Sequence, residues 1–566
     1  MFENLGQLKN LEKKYYYTID QSEISSNINL FDNFIIYKDQ KKLKVYDRRC
    51  DHAGGKIISI NNEIICPVHN WKFDPKLGQY KNGVKKKETN YSIIGNKIKI
   101  ETTNYQPVIN KFVKKDYLTK IRFFNHAFLK VYSENFSFAI DPWAIGPAFN
   151  TGWWLKNPTK DDWSQDLNNS SFIFISHNHP DHLHPLTLSK VNKKMPIVVP
   201  KFASDSAGKY IEDLGFTNII RLDFNIKYNL IGTNLVLCVL KSGDFSEDSG
   251  IYFSNGNFTG LLSVDTNSIN FGRFPKTNFY ACSFAGGASG YPLMFENYKE
   301  SERIKIAKKN KKFVKTRNCI NLKKVNPNYF MPYAGFFDEK LQRDSNIKKN
   351  NQKNTINDYK DFCHKNNIKL LNIFQYDLYN FNGCKLTKSS SIKKKKTKDL
   401  KQSIYLDYFK QEYQKIDEKY LKDYFVNSKF TDKLNLYILL TNDNFDLIGK
   451  NYFIDFTKLK TSFKKIDKFQ TKDIFRKSSV RKLVLKARKE SFLNTIYNKL
   501  PWEDLLIGFQ CKVLRNPNIH NLSFWHYFSN VYTSSKNVRS LTNCGACTKL
   551  SHFFDNKIYS KIQNIR

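Results

Sequence analysis
The 566-residue chain has no run of eighteen or more apolar residues. Its longest, such as Phe172-Ile-Phe-Ile175 and Leu235–Leu240, have strand length, which excludes a membrane-crossing helix. Acidic residues are few: 52 Asp and Glu stand against 92 Lys and Arg, a formal charge of +40. The excess is mostly Lys and is spread along the chain, beside abundant Asn, Ile, Phe and Tyr. It therefore reads as the imprint of AT-rich codons and disfavours a nucleic-acid partner, which would call for a concentrated basic motif. A moderate positive field still suits an anionic small substrate. Cysteine is scarce and unevenly spaced, ten in all, which excludes a disulfide scaffold and fits a reducing compartment. The N-terminus lacks a charged stretch followed by an apolar core, so a cytoplasmic location is expected. No convincing Gly-x-Gly-x-x-Gly stands between a strand and a helix, so the sequence offers no dinucleotide-binding fingerprint. What the chain does have is 40% hydrophobic and 15% aromatic residues. That is enough for several cores and excludes a wholly disordered chain.

Six of the 11 histidines fall into two short clusters. In the first, Cys50-Asp-His52 is followed after thirteen residues by Cys66-Pro-Val-His69. Cys-x-His then Cys-x-x-His is the Rieske pattern, in which two thiolates hold one iron of a [2Fe–2S] cluster and two imidazoles the other. Gly54-Gly55 and Pro67 supply the tight loops that bring each pair onto one iron. A Cys₂His₂ zinc site has the same ligand set, but zinc fingers pair Cys with Cys and His with His. The respiratory Rieske loops carry two further cysteines. Here positions 51, 53, 67 and 68 are Asp, Ala, Pro and Val, which resembles the oxygenase-associated ferredoxins.

The second cluster follows the buried-strand pattern Ser171–Ser176 and reads His177-Asn-His179-Pro-Asp181-His182, with His184 beyond. His-x-His-x-Asp-His after a strand is the metal loop of the metallo-β-lactamase fold. The spacing sets His177 and His179 on one metal position, and Asp181 and His182 on the adjacent one. Asp141 in Asp141-Pro-Trp143 fits a supporting strand-end carboxylate, and Asp265 one that bridges or completes the site. A dizinc hydrolase of this fold takes two further histidines downstream, yet the next after His184 is His364; Asp244 stands where one is usual. Two or three imidazoles plus carboxylates are compatible with non-heme iron. An open iron position beside a Rieske donor suits O₂ activation.

The run of short patterns predicts a multidomain α+β chain. Residues 1–112 read as an all-β Rieske domain with alternating runs and turn signals. Residues 113–340 alternate strand-like and helix-like runs, as in a central αβ/βα metallo-β-lactamase-like sandwich. Residues 341–400, rich in Lys and Asn with Lys393–Lys396, read as a linker or loop region. Residues 401–566 read as a small C-terminal α/β domain.

A Rieske unit fused ahead of a metallo-β-lactamase-like domain resembles the CMP-N-acetylneuraminate hydroxylase family. Asp141-Pro-Trp143 to Gly152-Trp-Trp-Leu155, Phe284–Pro292, Pro332–Phe336, Trp502–Gln510, Arg515–Asn518 and Phe524-Trp525 extend the resemblance over about residues 10 to 530, with 340–400 its poorest part. It implies a monooxygenase that uses O₂ and a CMP-sugar. Electrons would come from NADH through a reductase and a cytochrome b5-like or ferredoxin carrier. They would enter at the Rieske cluster, with chemistry at His177, His179, Asp181 and His182, Asp181 being the catalytic carboxylate. The family often has His where Asp244 stands and an acidic residue near Ser283. A metallo-hydrolase or lactonase with a redox-sensing Rieske domain remains the alternative, and a pure electron carrier a weaker third.

Gly286, Gly287, Ser289 and Gly290 form a turn whose N–H groups could cradle a substrate phosphate; turn glycines at a strand end are the equal alternative. Trp153-Trp154 suit core packing before cytosine stacking. Cys544-Gly-Ala-Cys547 is a lone CxxC whose role the sequence leaves open.

Overall fold
The computed structural model describes residues 1–7, 15–31, 34–40, 42–48, 50, 57–60, 63–66, 71–81, 83–102, 115–202, 204–242, 247–266, 277–397, 401–428, 430–458, 461–476 and 478–529. His52, His69, Asp244, Cys544 and Cys547 lie outside them. Among the described residues no helix is long and apolar enough to cross a membrane.

The centre of the molecule is two eight-stranded sheets packed face to face. One runs, in spatial order, Ile219–Leu222, Ile197–Pro200, Phe172–Phe174, Ser137–Ile140, Phe128–Tyr132, Leu118–Asn125, Leu378–Asn382 and Lys385–Ser390. Period-two alternation assigns each side chain a layer. Phe172, Phe174, Phe138, Ile140 and Val198 point into the core shared with the second sheet. Ile173, Ile175, Ala139, Ile197 and Val199 point outward, where helix residues Trp163, Leu167, Leu188 and Ile211 cover them. The second sheet includes Leu235–Lys241, Ser249–Asn255, Phe258–Val264, Phe279–Ser283 and Tyr329–Tyr333. Leu322 and Val325 of the helix Glu300–Val325 pack on its core. The layering is helix, sheet, sheet, helix.

Two boundaries differ from the sequence expectation. Phe2–Gln7, assigned above to the N-terminal domain, pairs antiparallel with Ile226–Leu230 at the edge of the second sheet. Residues 341–400, expected as a linker or loop region, supply strands to both sheets. Lys369–Leu370 pairs with Tyr329–Tyr333, and the hairpin Leu378–Asn382/Lys385–Ser390 extends the first sheet from Leu118–Asn125. Edge strands are half-solvated and tolerate Lys. Tyr379 and Phe381 turn inward and are buried, with Leu386 half-buried against the same core, so composition hid the strands.

The N-terminal unit is built of short antiparallel strands. Cys50, after Leu43–Asp47, and Cys66, after Glu63–Ile65, are both buried in one cluster with Tyr46, Trp71, Phe73 and Tyr80. The C-terminal unit has a five-stranded sheet whose central pair, Leu434–Thr441 and Arg481–Arg488, is parallel. Ahead of that sheet stand two helices, Gln402–Glu412 and Glu418–Asn427; Asp417 accepts from the Tyr420 amide and caps the second.

Candidate metal centre
The strand Phe172–Phe174 ends where the sheet opens, and Ile175–Ser176 carries the chain into the histidine loop. The loop is fixed from below by Asp141, at the end of the neighbouring strand. One Asp141 oxygen accepts from the Ser176 amide at 2.7 Å, and the other from Ser176 Oγ at 2.7 Å. The second oxygen also lies 3.0 Å from His182 Nδ1, and Ser176 Oγ lies 2.8 Å from His177 Nδ1. Asp141 thus orients two imidazoles by their Nδ1 sides and leaves both Nε2 atoms facing away from it. A carboxylate behind a histidine is the usual support of a metal ligand.

Two groups of ligand atoms form. His177, His179 and Asp265 converge on one point, and Asp181, His182 and His126 on another. His177 Nε2 and His179 Nδ1 stand 2.8 Å apart. Two cis ligands bonded at about 2.1 Å to one ion stand about 3 Å apart, so the spacing suits a shared cation. In the second group Asp181 Oδ2 lies 3.1 Å from His126 Nε2 and 3.3 Å from His182 Nε2. Asp265 Oδ2 is 3.4 Å from the same His182 nitrogen and links the groups. His182 Nε2 and Asp181 Oδ1 are buried with no hydrogen-bond partner. Such atoms are costly unless something else satisfies them, and a cation does so. The donor set therefore fits metal.

The electrostatics agree. Burial opposes charge on His182, but Asp181, Asp141 and Asp265 outweigh it and lift the imidazole well above its usual range. Burial likewise opposes the Asp181 carboxylate, yet His182 and His126 hold it well below the usual carboxylate range. A field that favours a proton there favours a metal cation in its place. Burial, then His182 and His179, press His177 well below the imidazole range. That keeps it neutral, as a ligand must be.

His126 escaped the sequence reading. It occupies the tip of the hairpin Leu118–Asn125/Phe128–Tyr132, in the left-handed region at φ 39°, and is 2% exposed. The hairpin was legible as two alternating runs, but a single histidine fifty residues before the loop has no spacing partner. The two groups together bring four imidazoles where the sequence offers two or three, the fourth arriving from upstream. His184 belongs to neither group: it accepts from the Thr187 amide as a helix N-cap and lies 3.0 Å from the Pro147 carbonyl. Asp248, rather than any described residue nearer 244, brings a carboxylate to 3.9 Å from His177 Nε2.

The C-terminal unit closes the centre. Glu503 Oε2 stands 3.6 Å from His179 Nε2. Burial presses His179 down, but Glu503 and Asp248 overcome it and raise the imidazole to about 9. Segments far apart in sequence meet here. A Cβ on Gly152 would lie 2.1 Å from the Gly508 carbonyl, and one on Gly290 would lie 2.3 Å from that of Leu506. Trp153 Nε1 donates to the Ile507 carbonyl at 3.1 Å. Trp153 also stacks on Phe337 at 3.5 Å and is 2% exposed, so it is core, as is its buried neighbour Trp154.

A cavity of about 350 Å³ opens from the centre. His179, Asp248 and Asp265 form one end; Gly286, Gly287 and Ser289 line its wall. Gly286 and Gly287 take φ +70° and +73°, conformations L-residues rarely adopt. Gly290 does not line the cavity; it is the buried contact with Leu506.

Residues 7–99 match the Rieske [2Fe-2S] domain family, which indicates a [2Fe–2S] cluster. The metallo hydrolase Igni18 from Ignicoccus hospitalis aligns over 47% of this chain and 99% of its own at 12% identity, TM-score 0.31. The cytidine monophosphate-N-acetylneuraminic acid hydroxylase of Xenopus laevis is 29% identical over 88% of this chain and 88% of its own. That of Macaca mulatta is 27% identical over 93% of this chain and 95% of its own. From the N-terminal unit through the metal centre to the C-terminal sheet, the chain is thus similar to the cytidine monophosphate-N-acetylneuraminic acid hydroxylases.

Proposed function
We propose that the chain is a Rieske-coupled, O₂-dependent monooxygenase. Its reaction converts the N-acetyl group of CMP-N-acetylneuraminate, or of a related CMP-activated nonulosonic acid, to the N-glycolyl group. One observation carries the reading: a chain similar to named hydroxylases over 93% of its length joins a Rieske-matched segment to a buried imidazole–carboxylate cluster that opens on a cavity. An acetyl C–H bond is inert to hydrolytic chemistry. Its conversion to C–OH takes one atom of O₂; the other leaves as water with two electrons and two protons. A [2Fe–2S] cluster passes electrons singly, so it is re-reduced within each turnover by an external cytochrome b5-like or ferredoxin carrier and an NADH-dependent reductase.

The cluster is assigned to Cys50, His52, Cys66 and His69. A second metal, assigned as non-heme iron, is given to His126, His177, His179, Asp181, His182 and Asp265, with Asp244 as a further candidate. Iron in such a setting supplies O₂ activation. The chain's own groups do the rest. Asp141 and Ser176 fix the ring orientation of His177 and His182, and the Glu503 carboxylate stands 3.6 Å from the outer nitrogen of His179. Asp181 is held by His126 at one oxygen and open at the other, and takes the catalytic carboxylate role. Trp143 and Phe149, buried beside His126 and His179, limit water. The setting we assign is the cytoplasm, from the cysteine usage.

The test supplies CMP-N-acetylneuraminate, O₂, NADH, a reductase and a carrier, and looks by mass spectrometry for one added oxygen on the N-acyl group. Electron consumption without oxygenation of any CMP-nonulosonate defeats the substrate assignment. Lactone or phosphodiester hydrolysis that needs no O₂ would restore the hydrolase alternative.

A further inference from the structure
The cavity is polarised. Its metal end carries the carboxylates of Asp248 and Asp265. Another wall is the helix Glu300–Val325, which presents Asn310, Val314, Arg317 and Asn321. Their spacing follows one face of an α-helix. Among the described lining residues, Arg317 has the only guanidinium and no lysine is present. Its charge is felt at Tyr280 and Cys282, on the strand that forms the adjoining wall. Beside it Asn321 is 7% exposed, with Oδ1 buried and lacking a hydrogen-bond partner. A buried acceptor of this kind awaits a donor.

A ligand with a localised negative charge has one favourable direction in such a cavity. At the metal end the ion assigned to Asp181 and Asp265 balances those two carboxylates, and Asp248 still repels the ligand. The guanidinium fork, which matches carboxylate and phosphate oxygens two at a time, attracts it at the other. We propose that Arg317 holds the acidic centre of the substrate, so that its neutral N-acyl arm faces His179 and Asp265. In a CMP-activated nonulosonic acid the carboxylate and the phosphodiester leave from one carbon, while the N-acyl group lies across the ring. The fixed polarity of the cavity thereby selects which end of the sugar is oxidised. Asn321 Oδ1 takes a hydroxyl of the same sugar as its donor. This inference rests on the CMP-sugar reading above and names the residue that orients the substrate within it.

The experiment uses the full chain loaded with iron and titrates CMP-N-acetylneuraminate, CMP and free N-acetylneuraminate by calorimetry into wild type, Arg317→Gln, Arg317→Lys and Asn321→Ala. Arg317→Gln should weaken the sugar nucleotide about 10- to 100-fold, the worth of a hydrogen-bonded charge. It should raise KM far more than it lowers kcat. Arg317→Lys should recover part of the loss, because a point charge lacks the fork. Unchanged Rieske EPR and iron content show that the variants fold. Whichever of CMP and the free acid loses affinity in Arg317→Gln identifies the oxygens held. Equal binding by wild type and Arg317→Gln overturns the inference and leaves the hydroxylase reading standing. Failure of wild type to bind any CMP-sugar overturns that reading, and the inference with it.

Discussion

Glu503 Oε2 lies 3.6 Å from His179 Nε2, on the side of the ring opposite the 2.8 Å contact with His177. The carboxylate thus comes from the C-terminal unit, more than three hundred residues away, and fixes which nitrogen of His179 faces the metal position. Loss of a carboxylate behind a ligating histidine lowers metal affinity about 10- to 100-fold. Glu503→Ala should show that loss in a chelator-competition titration of the second metal, with the Rieske EPR signal unchanged. Equal affinity would make the contact incidental.

His126→Ala should lower the content of the second metal and abolish hydroxylation while the Rieske spectrum persists, and His179→Ala should do the same. Elemental analysis with EPR on one sample separates the two sites. An active preparation holding two tightly bound zinc ions would end the iron assignment.

Cys66→Ser should bleach the protein and remove acid-labile sulfide, yet keep the second metal. The reduced wild type should give the low average g of mixed Cys/His ligation. A spectrum of the four-cysteine type, or zinc alone, would contradict the Rieske assignment.

A second buried network sets acid stability. Asp166 meets Lys130 Nζ at 2.8 Å, Tyr132 OH at 2.6 Å and Arg122 Nη1 at 2.6 Å; Lys130 is 1% exposed. Burial pulls the Asp166 carboxyl up, but Lys130, Tyr132 and Arg122 hold it below the usual range. Burial outweighs the pair at Lys130 itself, which sits below the usual ammonium range, so the acid limb follows the carboxylate. Its stabilisation is full above about pH 4 and fades as pH falls below that. Asp166→Ala leaves the buried Lys130 without its carboxylate, while Arg122 keeps Asp162, and should cost about 3–5 kcal/mol in denaturant unfolding at neutral pH. The gap to wild type should narrow on acidification. A gap independent of pH would show that the loss is packing alone.

The groups that converge from one loop were legible in the sequence, because the strand Phe172–Phe174 runs into a segment that carries His177, His179, Asp181 and His182 close together. Asp141 and Asp265 were legible as strand-end carboxylates. His126 and Glu503 were not, since topology alone brings them in. Trp502–Gln510 had been singled out only as a resemblance, and the packing of Gly152 and Gly290 against it gives that segment its physical reason. The strands in 341–400 were missed because their outer faces are lysine and asparagine. The glycine turn was legible, but Gly290 serves helix packing rather than the cavity.

The pairing of Phe2–Gln7 with Ile226–Leu230 has a consequence for electron delivery. The chain leaves the metal domain after residue 7, builds the Rieske unit and re-enters through Leu118–Asn125 in the other sheet. The Rieske unit is an insertion with two covalent tethers rather than a leading appendage. Its effective concentration at the metal domain is set by the chain itself and is independent of dilution. A nick in either connection leaves the units joined through the other, whereas a version begun at residue 115 lacks the strand that covers the edge at Ile226–Leu230. The smallest excisable part is therefore the Rieske insertion, not the domain that surrounds it.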